Sequence, residues 1–274
     1  MGHVTYDYSD DTVIVTGGTS GIGREAALRF SEAGATVVIA DIREEPKEDD
    51  TSLPTHEQIS EDGGRAVFVE ADISDPEDIR AVVEAAREFG GVDVMVNNAG
   101  IYRHGSVTEA ETAAFDQVLA INVRGVFAGC RAAARDMLNR DETGAIINTA
   151  SISSEYAQLG HTMYDASKGA VMMITRVAAL ELAQHDIRVN AVAPGLIDTT
   201  FGSGTPEIEG EREESLFVDD ADLPDLLDQN LSKDAPMGRG TPADVAGTFL
   251  FLGSTDAAYV TGHLLYVDGG YQIL

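Results

Sequence analysis

The stretch from Thr12 to Asp41 constrains the fold more than any other part of the chain. Thr12-Val-Ile-Val-Thr16 is a short continuous apolar run, as expected of a strand covered on both faces. Gly17, Gly21 and Gly23 follow, then Ala26, Ala27, Phe30 and Ala33 at helical spacing, with Gly34 as the stop. Val37-Val-Ile-Ala40 predicts a second strand, and Asp41 stands at its carboxyl end. Strand, glycine turn, helix, strand and acid in that order make a βαβ unit. Its glycines let the backbone approach a pyrophosphate, and the helix N-terminus offers free N–H groups to that charge. The order carries the signal, because the spacing is not the common G-x-G-x-x-G: three residues separate Gly17 from Gly21.

The alternation continues to the end of the sequence. Ala66–Val69, Asp93–Val96, a run ending at Ile146 and Ile147 behind Gly144, Arg188–Ala193 and Leu264–Val267 predict further strands. Between them, Pro76 opens a helix behind Ser74 and Asp75, running to Phe89. Thr108 and Glu111 form a capping box for a long helix that carries Asn122 and reaches Leu138. Ala166, Ala170, Met173, Val177 and Leu180 mark another helix, and Thr241-Pro242 begins the last. The expected fold class is α/β, a single domain over residues 1–274. Its core would be one doubly wound, Rossmann-type parallel sheet of about seven strands with helices on both faces. Residues 44–62 read as an acidic surface loop plus a short helix capped by Thr55 and Gln58, with little expectation of chemistry. Residues 200–235, rich in Asp, Glu, Gly and Pro, read as an acidic insertion.

One side-chain constellation is chemically suggestive. Tyr164 and Lys168 are four apart on the helix after Met163, so they share one face. An ammonium beside a phenol stabilises phenolate, lowers a pKa that is ordinarily about 10, and lets the group exchange protons nearer neutrality. Ser151, at the preceding strand end, can offer its hydroxyl to the same reacting oxygen. The plainer readings are that Asn122 bends its helix locally and Ser151 satisfies a strand-end backbone group. His104 and His161 have no companion at metal-ligand spacing, so no metal is expected there. The acids from Glu207 to Asp228 lack calcium-loop spacing and read as a solvated loop.

The net charge of −29 excludes several partners. It repels nucleic acid phosphates and anionic membranes. Only Lys47, Lys168 and Lys233 are lysines among 18 basic residues, and an acidic, lysine-poor surface resembles proteins of salt-accumulating cells. The acidic start lacks a signal-peptide pattern, and no apolar run approaches the ~20 residues of a membrane span, so a cytoplasmic place of work is expected. Cys130, the single cysteine, reads as a packed core residue.

Taken together, Thr16-Gly-Gly-Thr-Ser-Gly-Ile-Gly23, Asp72, Asn97-Asn-Ala-Gly100, Asn122, Ser151, Tyr164-x-x-x-Lys168 and Pro194-Gly195 with Thr199 resemble the short-chain dehydrogenase/reductase family, in its compact branch and over nearly the whole chain. The resemblance implies that Tyr164 is the general acid/base and that Ser151 orients the reacting oxygen. Lys168 would lower the tyrosine pKa and hold the nicotinamide ribose, and Asn122 would hold a water that links Lys168 to solvent. It further implies that Gly17, Ser20, Gly21, Ile22 and Gly23 wrap the pyrophosphate, and that Asp72 and Ile73 hold the adenine. Asn98, Ala99 and Gly100 would take the ribose side, and Pro194, Gly195, Ile197 and Thr199 the nicotinamide. Residues 200–235 take the place of a substrate lid, and the two long helices after 113 and 163 that of tetramer, or secondly dimer, contacts.

The implied reaction is hydride transfer between a nicotinamide cofactor and a secondary alcohol, ketone or sugar hydroxyl. Asp41, with Ile42 beside it, favours NAD over NADP, since a carboxylate accepts from ribose hydroxyls and repels a 2′-phosphate. Arg43 is the complication, lying two residues on. The substrate is a small molecule. Ser153, Glu155 and His161, with Tyr102, tilt the reading towards a hydroxylated substrate over a 3-oxoacyl thioester. A catalytically silent nucleotide-binding regulator is the other class, disfavoured because all four polar residues are present.

Overall fold

The computed structural model describes residues 4–47, 53–201 and 235–273. Seven strands form one sheet: β1 (Thr12–Thr16), β2 (Thr36–Asp41), β3 (Arg65–Glu70), β4 (Val94–Asn97), β5 (Gly144–Thr149), β6 (Ile187–Pro194) and β7 (Leu264–Val267). Their order is β3-β2-β1-β4-β5-β6-β7, and every pair is parallel. The chain winds outward from β1 to β3 and then returns to β4 and winds the other way. Connections therefore diverge at the carboxyl ends of β1 and β4, which opens a crevice there.

Helices α1 (Gly21–Glu32), α2 (Thr55–Glu61), α3 (Pro76–Arg87), α4 (Thr112–Leu119), α5 (Val126–Arg140), α6 (Thr162–Leu182) and α7 (Pro242–Gly253) surround the sheet. Alternation along the strands divides the core between two faces. On one face Ile14, Met95 and Ile146 meet Val82 of α3, Ala133 and Met137 of α5 and Val171 of α6. On the other Val13, Val15, Ile39 and Ile147 meet Phe30 of α1, Ile59 of α2 and Phe249 of α7. Each such large side chain, fully buried, stabilises the fold by about 1.5–3 kcal/mol. The expected strands and the doubly wound order are thus present.

Three local expectations fail. Thr55 does not cap α2; it is the first helical residue, is buried, and its Oγ1 accepts from Arg24 of α1 at 2.8 Å. Thr108 does not cap α4 either, because that helix starts later, at Thr112, and Thr108 pairs with Ser106. The single long helix carrying Asn122 is instead α4 and α5 joined by a π-helical turn at Ala120–Gly125. The starts of α3 and α7 are as expected. Asp75 accepts the Glu77 N–H, and Asp244 accepts both the N–H and the hydroxyl of Thr241. Most of the acidic insertion, residues 202–234, lies outside the described residues.

Candidate active site

The crevice at the switch point is a cavity of about 250 Å³. Gly17, Ser20, Gly21 and Ile22 form one wall at the β1–α1 turn, and Asp41, Ile42, Asp72 and Ile73 close one end. Asn98, Ala99 and Gly100 from β4 form the middle. Ser151, Tyr164 and Lys168 lie at the other end beneath Pro194, Gly195, Ile197 and Thr199. Two larger hollows, between α1 and α2 and at the amino-terminal edge of the sheet, contain neither Tyr164 nor Lys168.

The glycine turn is held from below. Gly17 adopts φ +64°, a left-handed conformation suited to glycine. Asn98 Nδ2 donates to the carbonyls of Thr16 and Gly17, and Thr16 Oγ1 accepts from the backbone N–H groups of Asn98 and Ala99. Gly23 does not line the cavity. A Cβ there would sit 2.1 Å from Gly17 O and 2.5 Å from Asn98 Nδ2, so glycine lets α1 pack tightly against its own turn.

At the catalytic end, Lys168 is only 4% exposed and donates from Nζ to Thr149 O at 2.7 Å. Nζ lies 5.5 Å from the centre of the Tyr164 ring. Burial lowers the Lys168 pKa to about 8. Burial also raises that of Tyr164, against which a hydrogen bond with Ser151 pulls downward. The net direction at Tyr164 is thus opposite to the sequence expectation. Desolvation outweighs the neighbouring polar groups, and Lys168 sits over the ring while its proton goes to Thr149. Asn122 is fully buried and does not line the cavity. Its Oδ1 accepts from Ile101 N at 2.8 Å, and its Nδ2 donates to Ile101 O and Ser167 Oγ. The π-helical turn is what carries this side chain inward against the strand-end loop.

The opposite end differs from expectation in one residue. Asp41 Oδ2 accepts from Thr19 Oγ1 at 2.7 Å and Oδ1 from Ile42 N at 2.8 Å, which fixes the carboxylate at the strand end. Arg43 does not line the cavity, whereas Lys47 does, because its backbone N–H donates to Ser20 Oγ at 2.7 Å and folds the loop back. Little chemistry was expected of this acidic loop. Sequence reasoning also passed over Thr149, Ile101 and Ile121, which line the cavity, whereas Phe201, which lines it too, falls in the segment expected to cover the substrate. Phe201 packs on Tyr164 at 6.0 Å between ring centres.

The expected substrate residues do not join the cavity lining. Glu155 faces outward: it accepts from Tyr266 Oη at 2.6 Å and pairs with Arg176 at 3.4 Å. Ser153 is buried beneath Gln158, whose Nε2 donates to its Oγ at 2.8 Å. His161 stands behind Tyr102, whose ring packs edge-to-face against both His161 and Tyr164, at 5.0 and 5.4 Å.

Known proteins are similar to this chain over nearly their whole length. The family pattern described as "Enoyl-(Acyl carrier protein) reductase" matches residues 17–272. The chain is 38% identical to 2-(R)-hydroxypropyl-CoM dehydrogenase of Xanthobacter autotrophicus, over 95% of this chain and 98% of the relative. It is 36% identical to glucose 1-dehydrogenase 2 of Bacillus subtilis, covering 97% and 96% of the two chains. The crystal structure of a short-chain type dehydrogenase/reductase from Mycobacterium marinum superposes with a TM-score of 0.82 at 33% identity, covering 98% of both chains. With its parallel seven-stranded sheet and its full-length relatives among dehydrogenases acting on hydroxyl groups, the chain belongs to the short-chain dehydrogenase/reductase family of oxidoreductases.

Proposed function

We propose that the protein is an NAD-dependent dehydrogenase that oxidises a secondary alcohol or a sugar hydroxyl, with Tyr164 as the general base. The observation that carries this reading is that Ser151, Tyr164 and Lys168 converge at one end of the crevice, with Lys168 Nζ over the Tyr164 ring. Residues present fit a dinucleotide: a glycine turn opening α1, a fixed carboxylate at Asp41, and an apolar end under Pro194 and Ile197. The nicotinamide, when bound, supplies the hydride acceptor.

The protein's own part is positional and electrostatic. Ser151 and Tyr164 share the substrate hydroxyl, and the Tyr164 oxygen takes its proton as the carbonyl forms. Burial opposes phenolate, so this reading requires the adjacent ammonium of Lys168 to make that state reachable. Asn122 holds Ile101 and Ser167 in place beside Lys168; the remaining lone pair of its Oδ1 is where a relay water would bind.

Asp41 favours NAD, and Lys47 rather than Arg43 is the cation in reach of the cofactor's adenosine end. We read residues 1–274 as one domain and 200–235 as a substrate lid. The charge of −29 suits a cytoplasmic enzyme of a salt-accumulating cell. Exposed apolar side chains on α5 (Phe127, Leu138) and α6 (Met173, Val177, Leu180) favour a homotetramer.

The test is a panel of sugars, polyols, hydroxy acids and secondary alcohols with NAD in high salt, followed by NADH absorbance. Absence of turnover across the panel would refute the reading.

A further inference from the structure

After β7 the chain closes into a small knot around Asp268. Its Oδ1 accepts from Gly270 N at 2.9 Å, its Oδ2 from Gln272 N at 2.8 Å, and its carbonyl from Tyr271 N at 3.1 Å. Gly269 and Gly270, at φ +60° and +88°, allow the reversal. The knot aims Gln272 at the one-turn helix Ile152–Ser154, where its Nε2 donates to Ile152 O at 3.3 Å, 120 positions away. Ile152 and Tyr271 are buried in one apolar cluster, and Tyr271 packs edge-to-face on Tyr156 at 5.5 Å.

The one-turn helix continues directly from Ser151. Ser151 Oγ accepts from Ser153 N at 3.1 Å, and Ser154 Oγ donates to Lys168 O at 2.9 Å. The turn bearing Ser151 is thus tied to α6 through Ser154 and to the knot through Ile152. The same knot supports another part of the cavity wall. Gly195 N donates to Val267 O at 3.0 Å, and a Cβ on Gly195 would lie 2.7 Å from Asp268 Cα. Ser151 and Gly195 line the cavity; Asp268 and Gln272 do not.

Resting on the dehydrogenase reading above, we infer that Asp268 and Gln272 are positioning residues that set the Ser151 hydroxyl against the wall at Gly195, where that reading puts the nicotinamide. Neither touches substrate or cofactor. A misplacement of about 1 Å in such a constellation can cost roughly 10²-fold in rate. Ser151 also pulls the Tyr164 pKa downward against burial, so loosening its turn weakens that pull. Lys168, Tyr102 and Asp165, the titratable groups around Tyr164, are retained in any Gln272 variant.

Gln272→Met keeps the side-chain length and removes its donor, and two measurements on the full chain test it. By hydrogen exchange, the Ser153 N–H should exchange tenfold faster or more, while the N–H groups of Val13, Ile14 and Val15 in β1 exchange as in wild type. An unchanged Ser153 rate, or an equal rise in β1, overturns the inference. The second measurement is single-turnover oxidation of whichever alcohol or sugar wild type accepts. Gln272→Met should lower the hydride-transfer rate about tenfold or more, leave NAD affinity within about twofold, and move the rising limb of the pH profile to higher pH. Asp268→Ala should act in the same directions, and Asp268→Asn, which keeps one acceptor, less strongly. A Gln272→Met enzyme with the wild-type rate and pH profile, or one whose rate falls only in step with NAD affinity, overturns the inference. If wild type oxidises nothing, the dehydrogenase reading fails instead, and Ser153 exchange alone decides whether the knot holds the turn of Ser151.

Discussion

Lys168 donates its Nζ proton to the carbonyl oxygen of Thr149 at 2.7 Å while lying 5.5 Å from the centre of the Tyr164 ring. The ammonium is thus anchored to the end of β5, next to Ser151, and its burial works against folding. Its pKa of about 8 lies below the ordinary 10.5. The unfolded chain therefore holds that proton more tightly, and the penalty is fully present below pH 8. It fades as pH rises towards the unfolded value. Lys168→Met should accordingly stabilise the protein at pH 7, by about 1–3 kcal/mol after the lost hydrogen bond is counted, while turnover falls by orders of magnitude. Thermal melting at pH 7 and pH 10 checks this; the variant's advantage should shrink at the higher pH.

A different buried charge acts in the opposite sense. Asp136 is 1% exposed and accepts from Arg87 Nε, Arg140 Nε and Val92 N at 2.8, 3.0 and 2.9 Å. Burial alone would raise its pKa, but these donors hold it below the ordinary value. Its contribution is present above the unfolded carboxylate pKa and is lost as pH falls through the lower folded one. Asp136→Ala should destabilise the protein by about 3–5 kcal/mol at pH 7, measured by urea unfolding, with a smaller difference near pH 3.

Cofactor choice depends on Asp41 and on Lys47. Asp41→Ala should remove most of a preference for NAD over NADP that we expect to be roughly a hundredfold. Lys47→Ala in that background should then weaken NADP more than NAD. Comparison of kcat/KM for both cofactors in the three proteins decides it. Wild type using both equally would show that Lys47 outweighs Asp41.

Salt should control assembly. Leu180 is 80% exposed on α6 and Phe127 50% exposed on α5, within a chain carrying −29 charges. Association of such surfaces needs their repulsion screened. Sedimentation should show a tetramer in molar salt and smaller, less active species below about 0.1 M, where repulsion persists over ~10 Å or more. Leu180→Glu should shift the equilibrium towards those species.

Much of this was legible in the sequence because it is local. β1 and β7 begin and end where their apolar runs do, and the βαβ order placed Gly17, Asp41 and Asn98 around one crevice. What escaped depends on contacts between distant residues. The π-helical turn follows from Asn122 bonding the Ile101 backbone and from Gly125, where a Cβ would lie 2.8 Å from Ile73. Lys47 entered the crevice through a hydrogen bond to Ser20, 27 positions away, and Glu155 left it through Tyr266, 111 positions away. Thr55 has the residue type of a cap, but Arg24 claims its hydroxyl. No spacing rule announces such partners.

The central claim is that Tyr164 moves the proton. The most direct test is single-turnover oxidation by Tyr164→Phe in high salt, using whichever alcohol or sugar wild type oxidises, alongside a titration of NAD. The account predicts that NAD binds with nearly wild-type affinity and that the hydride-transfer rate falls by about 10²–10⁴-fold or more. A Tyr164→Phe enzyme that turns over at close to the wild-type rate would contradict it.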